Sequence, residues 1–344
     1  MVFQQKKYHN MSAKIQKITI ALPKKEVSNE ELAKEFPDYN FERFEKRVGI
    51  KNRYVSTKNE SVVSLAINAA EKLFKTSSIK KEDIDFLVLC TQSPDYKLPT
   101  SACILQDKLS LRTDIAAFDF NLGCSGYVYG LMLAKSLVSK ERKNLLLITS
   151  ETYSKYIHPR DRANRLIFGD AAAATLIQYD NENKIGNFIF GTDGSGFDKL
   201  IIKNGGGKYL VQQNINLKKY GSDNFYDDNH LYMDGPEIYN FTSTKIPNII
   251  SQTLLKNNLN IDSIDNFILH QANKLLLNQI RVSLKIPPEK FEINLRNYGN
   301  TVSSTIPIAL KEYLDRRDKK NINQNIVLTG FGVGLSWASC IIKI

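Results

Sequence analysis

The chain has 344 residues, of which 42% are hydrophobic and 24% charged, and its formal net charge is +11. These values are typical of a folded globular protein and exclude an intrinsically disordered one. The longest apolar runs, such as residues 145–148 and 171–177, are much shorter than the ~20 residues that a membrane-spanning helix needs.

Strand-like and helix-like segments alternate along the chain, which predicts an α/β layered fold. The run at residues 84–90 is almost continuously apolar, as expected for a buried strand. In the first half, the pattern predicts strands at 15–22, 84–90, 115–120, 144–150 and 171–178, and helices at 29–35, 61–75, about 101–109 and 126–140.

The second half of the chain repeats the plan of the first. KKEDIDFLVLC, from Lys80, resembles IDSIDNFILH, from Ile261, and NLGC at 121–124 resembles NYGN at 297–300. Each of the latter is followed by a helix, an apolar strand, a Phe-Gly turn and a closing strand. This order predicts a duplicated α/β unit with pseudo-twofold symmetry.

The duplication and the local composition divide the chain into four segments. We expect a polar N-terminal tail at residues 1–13, a first half at 14–182 that carries the nucleophilic cysteine described below, and a second half at 183–344. Residues 205–230 are polar and rich in Gly, Asn, Asp and Tyr, which indicates a surface insertion in the second half.

The cysteines are scattered without a CxxC pair, which disfavours a disulfide framework and a metal site. Cys90, Cys103 and Cys340 lie in apolar runs and are expected to be inert core residues. No basic-then-apolar leader opens the sequence, so we expect a cytoplasmic protein.

The positive charge by itself allows several partners. Nucleic acid, an anionic membrane or an acidic protein could each attract a basic surface. The lysines are dispersed, however, and no basic helix or aromatic RNA-binding strand is evident, so neither nucleic acid nor membrane is predicted as a partner. A solvated lysine-rich surface and an acidic protein partner both remain open.

Cys124 is the first candidate for chemistry. It follows Asn-Leu-Gly and precedes Ser-Gly at a predicted strand-to-helix junction. Backbone N–H groups and the dipole of the helix start would stabilise a thiolate, so we expect a lowered thiol pKa and a nucleophilic sulfur. A buried cysteine in a tight turn is the alternative.

His270 and Asn300 are the second and third candidates. His270 ends a buried-type strand, where α/β folds place ligands, although a lone core histidine is an equal alternative. Asn300 alone indicates a turn or a helix cap. Because Cys124 and Asn300 hold equivalent positions in the two halves, we expect all three side chains to meet near the pseudo-twofold axis.

Five motifs together resemble the β-ketoacyl-acyl-carrier-protein synthase III family of thiolase-fold condensing enzymes. The resemblance extends from about Lys14 to the C-terminus. It implies a thiolase-like fold with two pseudo-twofold related αβαβα halves in layers. The motifs are FDFNLGCSGYVYG (118–130), DRANRLIFGDAAAA (161–174), HQAN (270–273), NYGNTVSSTIPIAL (297–310) and GFGVGLSWAS (330–339).

The resemblance implies a reaction in two stages. Cys124 would take an acyl group from a coenzyme A or carrier-protein thioester, and the enolate formed by malonyl decarboxylation would then attack the acyl-cysteine. His270 and Asn300 would stabilise the malonyl thioester oxygen, and the backbone N–H groups of Cys124 and Val333 would hold the acyl oxygen. No cofactor is implied, since coenzyme A or phosphopantetheine thioesters are the substrates.

The resemblance also implies binding residues and partners. Acyl carrier protein, an acyl donor and a second copy of the chain in a homodimer are expected, with Lys274 as a carrier-protein contact. Leu98 matches a position that closes the partner subunit's acyl pocket. The implied substrate-binding residues are Arg47, Leu98, Arg162, Asn273, Phe331, Gly332 and Gly334.

Some positions depart from the family pattern. Arg43 stands where many relatives have a tryptophan that stacks on adenine opposite the residue matching Arg162, and Leu275 stands where many have an arginine. Val333 replaces the middle glycine of a three-glycine turn. These changes leave the chemistry intact and leave open whether the donor is carried by coenzyme A or by a carrier protein.

Other functions remain possible from the sequence. Acyl transfer from Cys124 to an alcohol or amine, without decarboxylation, would use a similar site. A reaction like that of HMG-CoA synthase is disfavoured because residues 91–94 (TQSP) lack a glutamate. A non-catalytic partner subunit is disfavoured because Cys124, His270 and Asn300 are all present.

Overall fold

The computed structural model describes residues 12–318 and 323–344, so residues 1–11 of the predicted polar tail lie outside the described residues. The strands are β1 (Ala13–Ala21), β2 (Lys25–Ser28), β3 (Asn52–Val55), β4 (Phe86–Cys90), β5 (Ala116–Phe120), β6 (Asn144–Glu151), β7 (Ala171–Tyr179), β8 (Ile185–Thr192), β9 (Leu200–Ile202), β10 (Lys218–Tyr220), β11 (Asn224–Tyr226), β12 (Leu231–Met233), β13 (Asn266–Leu269), β14 (Asn325–Gly332) and β15 (Ser336–Lys343). The α-helices are α1 (Asn29–Glu35), α2 (Phe41–Val48), α3 (Val62–Thr76), α4 (Ser101–Lys108), α5 (Gly126–Leu137), α6 (Arg162–Ile167), α7 (Gly235–Lys256), α8 (Lys274–Ser283) and α9 (Thr305–Arg316).

The strands and helices predicted for the first half are confirmed, most of them to within two residues. Helix α5 ends three residues earlier than predicted, where Val138 takes an extended conformation. Four helices, α2, α6, α7 and α8, were not predicted. Helix α7 begins with Gly235-Pro236 and contains Pro247, and both features are typical of turns rather than of a 22-residue helix.

The two large sheets share one strand order. The first runs β1-β7-β6-β4-β5, with β4 parallel to β5 and β6, and β7 antiparallel to its neighbours. The second runs β8-β15-β14-β13, with β13 parallel to β14 and the other pairs antiparallel. Only β5 lacks a full counterpart, and a single bridge between Phe267 and Phe291 stands in its place. The predicted pseudo-twofold fold is confirmed.

The helices complete five layers around the two sheets. Helices α5 and α9 lie between the sheets, and their side chains, such as Leu131 and Leu310, share one buried cluster with Leu147 of the first sheet and Leu328 of the second. Helices α3 and α4 cover the outer face of the first sheet. Helices α7 and α8 cover the outer face of the second. The chain passes from the first sheet to the second between Tyr179 and Ile185.

The predicted insertion is partly docked rather than free. Most residues between 206 and 219 are exposed, but the β10–β11 hairpin packs on the start of α6. The Tyr220 hydroxyl donates to Asp161 Oδ1 at 2.6 Å, and Asn224 Oδ1 accepts from the Ala163 N–H at 3.0 Å. The insertion therefore fixes the residues that open α6.

Two remaining expectations concern the cysteines and membranes. Cys90 and Cys340 are buried as predicted, whereas the prediction for Cys103 is wrong, because this residue lies on the exposed side of α4. Within residues 12–318 and 323–344, no helix combines the length and apolar character that a membrane crossing requires.

Candidate active site

Cys124 lies in the loop between β5 and α5, and its side chain is 5% exposed. The carboxyl end of β14 packs directly against it. A Cβ atom at Gly332 would lie 2.9 Å from Cys124 Cβ and 3.0 Å from Sγ, so only glycine allows this approach. The backbone N–H groups of Cys124 and Val333 both lie close enough to the sulfur to act on its pKa in the lowering direction. Two donors therefore converge beside Sγ.

The Cys124 thiol is protonated at neutral pH. Burial raises its pKa to about 12, and the Glu151 carboxylate adds to this effect. The two backbone N–H groups act in the opposite direction without offsetting burial. The sequence-based expectation of a lowered pKa is therefore wrong, because loss of solvation by the buried sulfur outweighs the donors at the helix start.

His270 follows β13 and is 2% exposed. Its backbone N–H donates to the Thr329 carbonyl on β14 at 2.9 Å, which holds the residue at the carboxyl end of the second sheet. Burial lowers the pKa of its imidazole to about 3, so the ring is neutral at pH 7. The Phe331 ring meets the imidazole edge-on, with ring centres 5.5 Å apart.

Asn300 lies in a turn that joins the two halves. Its backbone N–H donates to the Ile167 carbonyl at 2.8 Å, and its carbonyl accepts from the Gly169 N–H at 3.0 Å. Gly299 has φ +65°, and a Cβ there would lie 2.7 Å from the Ile167 oxygen, so the turn requires glycine. The Asn300 Nδ2 lies 3.4 Å from His270 Nε2.

One cavity of about 140 Å³ brings Cys124, His270 and Asn300 together. This is the arrangement that equivalent positions in two symmetric halves predict. The rest of its wall is mostly apolar and comes largely from the second half. These further lining residues are Ile167, Phe168, Leu200, Met233, Gly235, Ile238, Tyr239, Thr242, Ala272, Asn273, Leu276, Phe331 and Gly332.

The other predicted binding residues are dispersed. Asn273 lines the cavity, but its side chain also caps α8 by accepting from the Leu276 N–H at 2.9 Å. Gly334 lies beyond the cavity wall, against Ser336. Arg47, Leu98 and Lys274 do not line the cavity and are exposed, Leu98 to 82%.

Arg162 stacks on an aromatic residue that the sequence analysis did not select. Its guanidinium lies 4.4 Å from the centre of the Tyr39 ring and donates to the Ser222 carbonyl of the insertion at 2.9 Å. Arg43, the position matched from the sequence, lies on the exposed side of α2. The aromatic partner of Arg162 is therefore Tyr39, two residues before α2 begins, where the motif alignment could not locate it.

Two further buried polar residues were missed. Glu151, at the end of β6, accepts from the Ser93 and Ser303 hydroxyls at 2.8 and 2.9 Å, and burial raises its pKa to about 7. The Thr305 hydroxyl contacts His270 Nδ1 at 2.7 Å. An acidic residue directly after the predicted strand at 144–150 was a signal for the first, whereas Thr305 resembled an ordinary helix-start residue.

The duplicated five-layer fold and this cavity define the class of thiolase-fold condensing enzymes. The family profile described as 3-oxoacyl-[acyl-carrier-protein (ACP)] synthase III matches residues 118–194, and the profile of its C-terminal region matches residues 254–344. A β-ketoacyl-[acyl-carrier-protein] synthase III of Clostridium perfringens is 38% identical over 325 residues, which is 94% of this chain and 96% of the relative. The chain belongs to the 3-oxoacyl-[acyl-carrier-protein] synthase III family.

Solved structures agree with this assignment. A crystal structure of a 3-oxoacyl-(acyl-carrier-protein) synthase III superimposes with a TM-score of 0.93 at 40% identity, covering 97% of this chain and 100% of the other. The 3-oxoacyl-(acyl-carrier protein) synthase of Burkholderia xenovorans LB400 gives 0.88 at 33% identity, covering 97% and 94%. The priming β-ketosynthase of the R1128 polyketide pathway, at 21% identity, shares the fold with a TM-score of 0.82.

Proposed function

We propose that this protein condenses an acyl thioester with a malonyl thioester, carried on acyl carrier protein, to give a β-ketoacyl product with release of carbon dioxide. The observation that carries the proposal is the meeting of Cys124, His270 and Asn300 in one largely apolar cavity. Family membership at 38% identity over nearly the whole chain supports it.

In the first stage the acyl group moves to Cys124. The sulfur forms a bond to the acyl carbonyl carbon, the donor's thioester bond breaks, and the thiol proton leaves with the departing thiolate. Because the resting thiol has a raised pKa, its proton must move as the thioester enters. The N–H groups of Cys124 and Val333, which converge beside Sγ, are placed to hold the carbonyl oxygen as it becomes negative.

In the second stage the malonyl thioester loses carbon dioxide. The electrons of the broken C–C bond form an enolate, whose oxygen carries the new charge. A neutral His270 and Asn300 Nδ2 can each donate to that oxygen, and removing one such donor typically costs ~3 kcal/mol of barrier. The enolate carbon then bonds to the acyl carbon and the Cys124 thiolate leaves.

The proposal is tested by following the acyl group and the carbon dioxide separately. Intact-protein mass spectrometry with acetyl, butyryl and octanoyl groups, each on coenzyme A and on acyl carrier protein, should show an adduct on wild type and none on Cys124→Ala. Addition of ¹⁴C-carboxyl malonyl thioester should then release labelled carbon dioxide. An adduct that forms without any such release, and that passes to an alcohol or amine, would support the non-decarboxylating alternative instead.

Binding to acyl carrier protein is proposed for the exposed face around Lys274. This residue borders a surface cleft that Lys46, Arg296, Glu42 and Glu45 also line. Arg296 pairs with Glu45 at 2.7 Å, whereas no ion pair is recorded for Lys46 or Lys274 in the described part of the chain. Lys46 and Lys274 therefore offer two ammonium groups to an acidic surface of the carrier protein. Arg47 and Arg162 remain proposed contacts for the thioester's carrier group.

We also propose a homodimer in a reducing compartment, the cytoplasm. The edge strand β5 has its outer side unpaired in the single chain, and Leu98 is a large apolar residue with an exposure of 82%. Unpaired sheet edges with apolar neighbours favour pairing with a second copy. The cysteines Cys90, Cys103, Cys124 and Cys340 are all free, which fits a reducing environment.

A further inference from the structure

Thr305 joins the imidazole of His270 to the turn that holds Asn300. The residue opens α9 and is 2% exposed. Its Oγ1 lies 2.7 Å from His270 Nδ1 and 3.1 Å from the Val302 carbonyl oxygen. A hydroxyl has one proton to donate, so it can donate to only one of these two atoms at a time.

The orientation of the Asn300 amide is fixed independently. The Val302 N–H donates to Asn300 Oδ1 at 2.9 Å, so Nδ2 must face the His270 ring. Val302 is buried and has φ +55°, a conformation that costs a β-branched residue about 1–2 kcal/mol. The strained turn thus directs the Asn300 amide towards the His270 ring.

The distance between the two side chains bears on which ring nitrogen carries the proton. Asn300 Nδ2 and His270 Nε2 are 3.4 Å apart, longer than the usual ~2.7–3.2 Å of an N–H donor and its acceptor. Two donors that face one shared acceptor, rather than each other, account for this spacing. In that arrangement Nδ1 is the bare nitrogen and accepts from Thr305, and this 2.7 Å contact is shorter than the 3.1 Å contact of the same hydroxyl with the Val302 carbonyl.

We propose that Thr305 is a positioning residue whose hydroxyl donates to His270 Nδ1 and keeps the imidazole proton on Nε2. There the Nε2–H and an Asn300 Nδ2–H converge on a single oxygen of the malonyl thioester. In a neutral imidazole, the bond made by one nitrogen decides the protonation of the other. The inference rests on the proposed function and assigns Thr305 to its decarboxylation stage.

Three variants separate this role from a purely structural one. Thr305→Val has nearly the same shape and cannot donate, so release of carbon dioxide from malonyl thioester should fall about ten- to a hundredfold, while acyl-enzyme formation stays within about twofold. Thr305→Ser keeps the donor and should retain the release within about threefold. Thr301→Val is the matched control, since Thr301 is 1% exposed in the same turn and its Oγ1 has no hydrogen-bond partner among the described residues.

A spectroscopic readout tests the tautomer directly. ¹⁵N-histidine NMR, with His270 assigned through His270→Ala, should show the proton on Nε2 in wild type and Thr305→Ser, and a loss of that single tautomer in Thr305→Val. A wild-type proton on Nδ1 overturns the inference, as does equal loss of both stages in folded Thr305→Val. If wild type itself forms no acyl-enzyme or releases no carbon dioxide, the proposed function fails, whereas a wild-type-like Thr305→Val sinks only this inference.

Discussion

The cavity holds its reacting groups uncharged at rest. Burial raises the pKa of Cys124 to about 12 and lowers that of His270 to about 3, so neither a thiolate nor an imidazolium is present near pH 7. Charge therefore develops only when a thioester occupies the site. Donors fixed in advance by the backbone and by Asn300 are then already in position, which is the arrangement that stabilises a transition state most efficiently.

His270 and Asn300 should matter in only one of the two stages. We expect His270→Ala and Asn300→Ala to keep acyl-enzyme formation within about threefold but to lower carbon dioxide release about 10²–10³-fold, because each removes one donor to the enolate oxygen. Mass spectrometry and ¹⁴C release measure the two stages. Loss of acylation with release retained would reverse the assigned roles.

Glu151 should make stability depend on pH. Burial raises its pKa to about 7 from 4.5, so the folded state binds this proton more tightly than the unfolded chain does. Its contribution to stability is full below pH 4.5 and is lost as the pH rises through about 7.

Glu151→Gln removes this dependence. Relative to wild type, the free energy of unfolding of Glu151→Gln should increase between pH 5 and pH 8 by at most about 3 kcal/mol, measured by urea unfolding. Glu289→Gln, which alters an exposed carboxylate, is the control. A difference between Glu151→Gln and wild type that is the same at both pH values contradicts the assignment.

At this scale the sequence predicted which residues meet but not their ionisation. Cys124, His270 and Asn300 were found because motif and duplication locate backbone positions. The direction in which the pKa of the Cys124 thiol shifts was not predicted, because it depends on how much solvent the folded cavity excludes. Thr305 and Tyr39 were missed because each acts through one contact across the fold, which leaves no local pattern.

Among the elements, the insertion has a structural role at α6. Asp161 caps this helix by accepting from the Asn164 N–H at 3.1 Å, and it also accepts from the Tyr220 hydroxyl. Arg162 follows directly and lies on Tyr39. These contacts join three parts of the chain: the β10–β11 hairpin, the start of α6 and the segment before α2.

Removing the Tyr220 hydroxyl should destabilise the protein through the start of α6. Tyr220→Phe removes one of the donors to the buried Asp161 carboxyl and leaves those of Asn164, and we expect a loss of about 1–3 kcal/mol in the free energy of unfolding. Tyr226→Phe is the matched control, because the Tyr226 ring packs against the Tyr220 ring and its hydroxyl makes no hydrogen bond to the described residues. Similar stability of the two variants in urea unfolding would contradict the role.

Prediction at the scale of elements succeeded where hydrophobic periodicity was strong. Helix α3 buries residues spaced along one face, and both its start and its end were found within one residue. Helix α7 was missed because its proline and its polar residues hide the pattern, although Ile246, Ile250 and Leu254 hold it against the second sheet. Tertiary packing decided this helix rather than local preference.

At the scale of the whole molecule, the exposed edge of the first sheet predicts self-association. Wild type should sediment at twice the mass of the chain, because β5 and the exposed Leu98 offer a surface for a second copy. Leu98→Asp should shift sedimentation towards the single chain. Leu255→Asp, at 78% exposure on α7, should not. A wild-type monomer at micromolar concentration would rule out the proposed dimer.

The overall architecture was the most predictable feature, since matched segments in the same order in both halves already implied duplication. The absence of a full counterpart to β5 was not predictable. The residues around Phe291 form a single bridge, to Phe267, instead of a strand. Sequence similarity between the halves is too weak to show where one copy has lost an element.

The central layer of α5 and α9 serves both sheets at once, and this constrains how the two halves can diverge. A change of volume at Leu131 or Leu310 presses on strands from both copies, so interior substitutions in one half need a compensating change in the other. The outer surfaces carry no such obligation. We therefore expect insertions to be tolerated at the periphery, where the hairpin of residues 218–226 lies, and substitutions in the shared middle layer to be constrained by both halves.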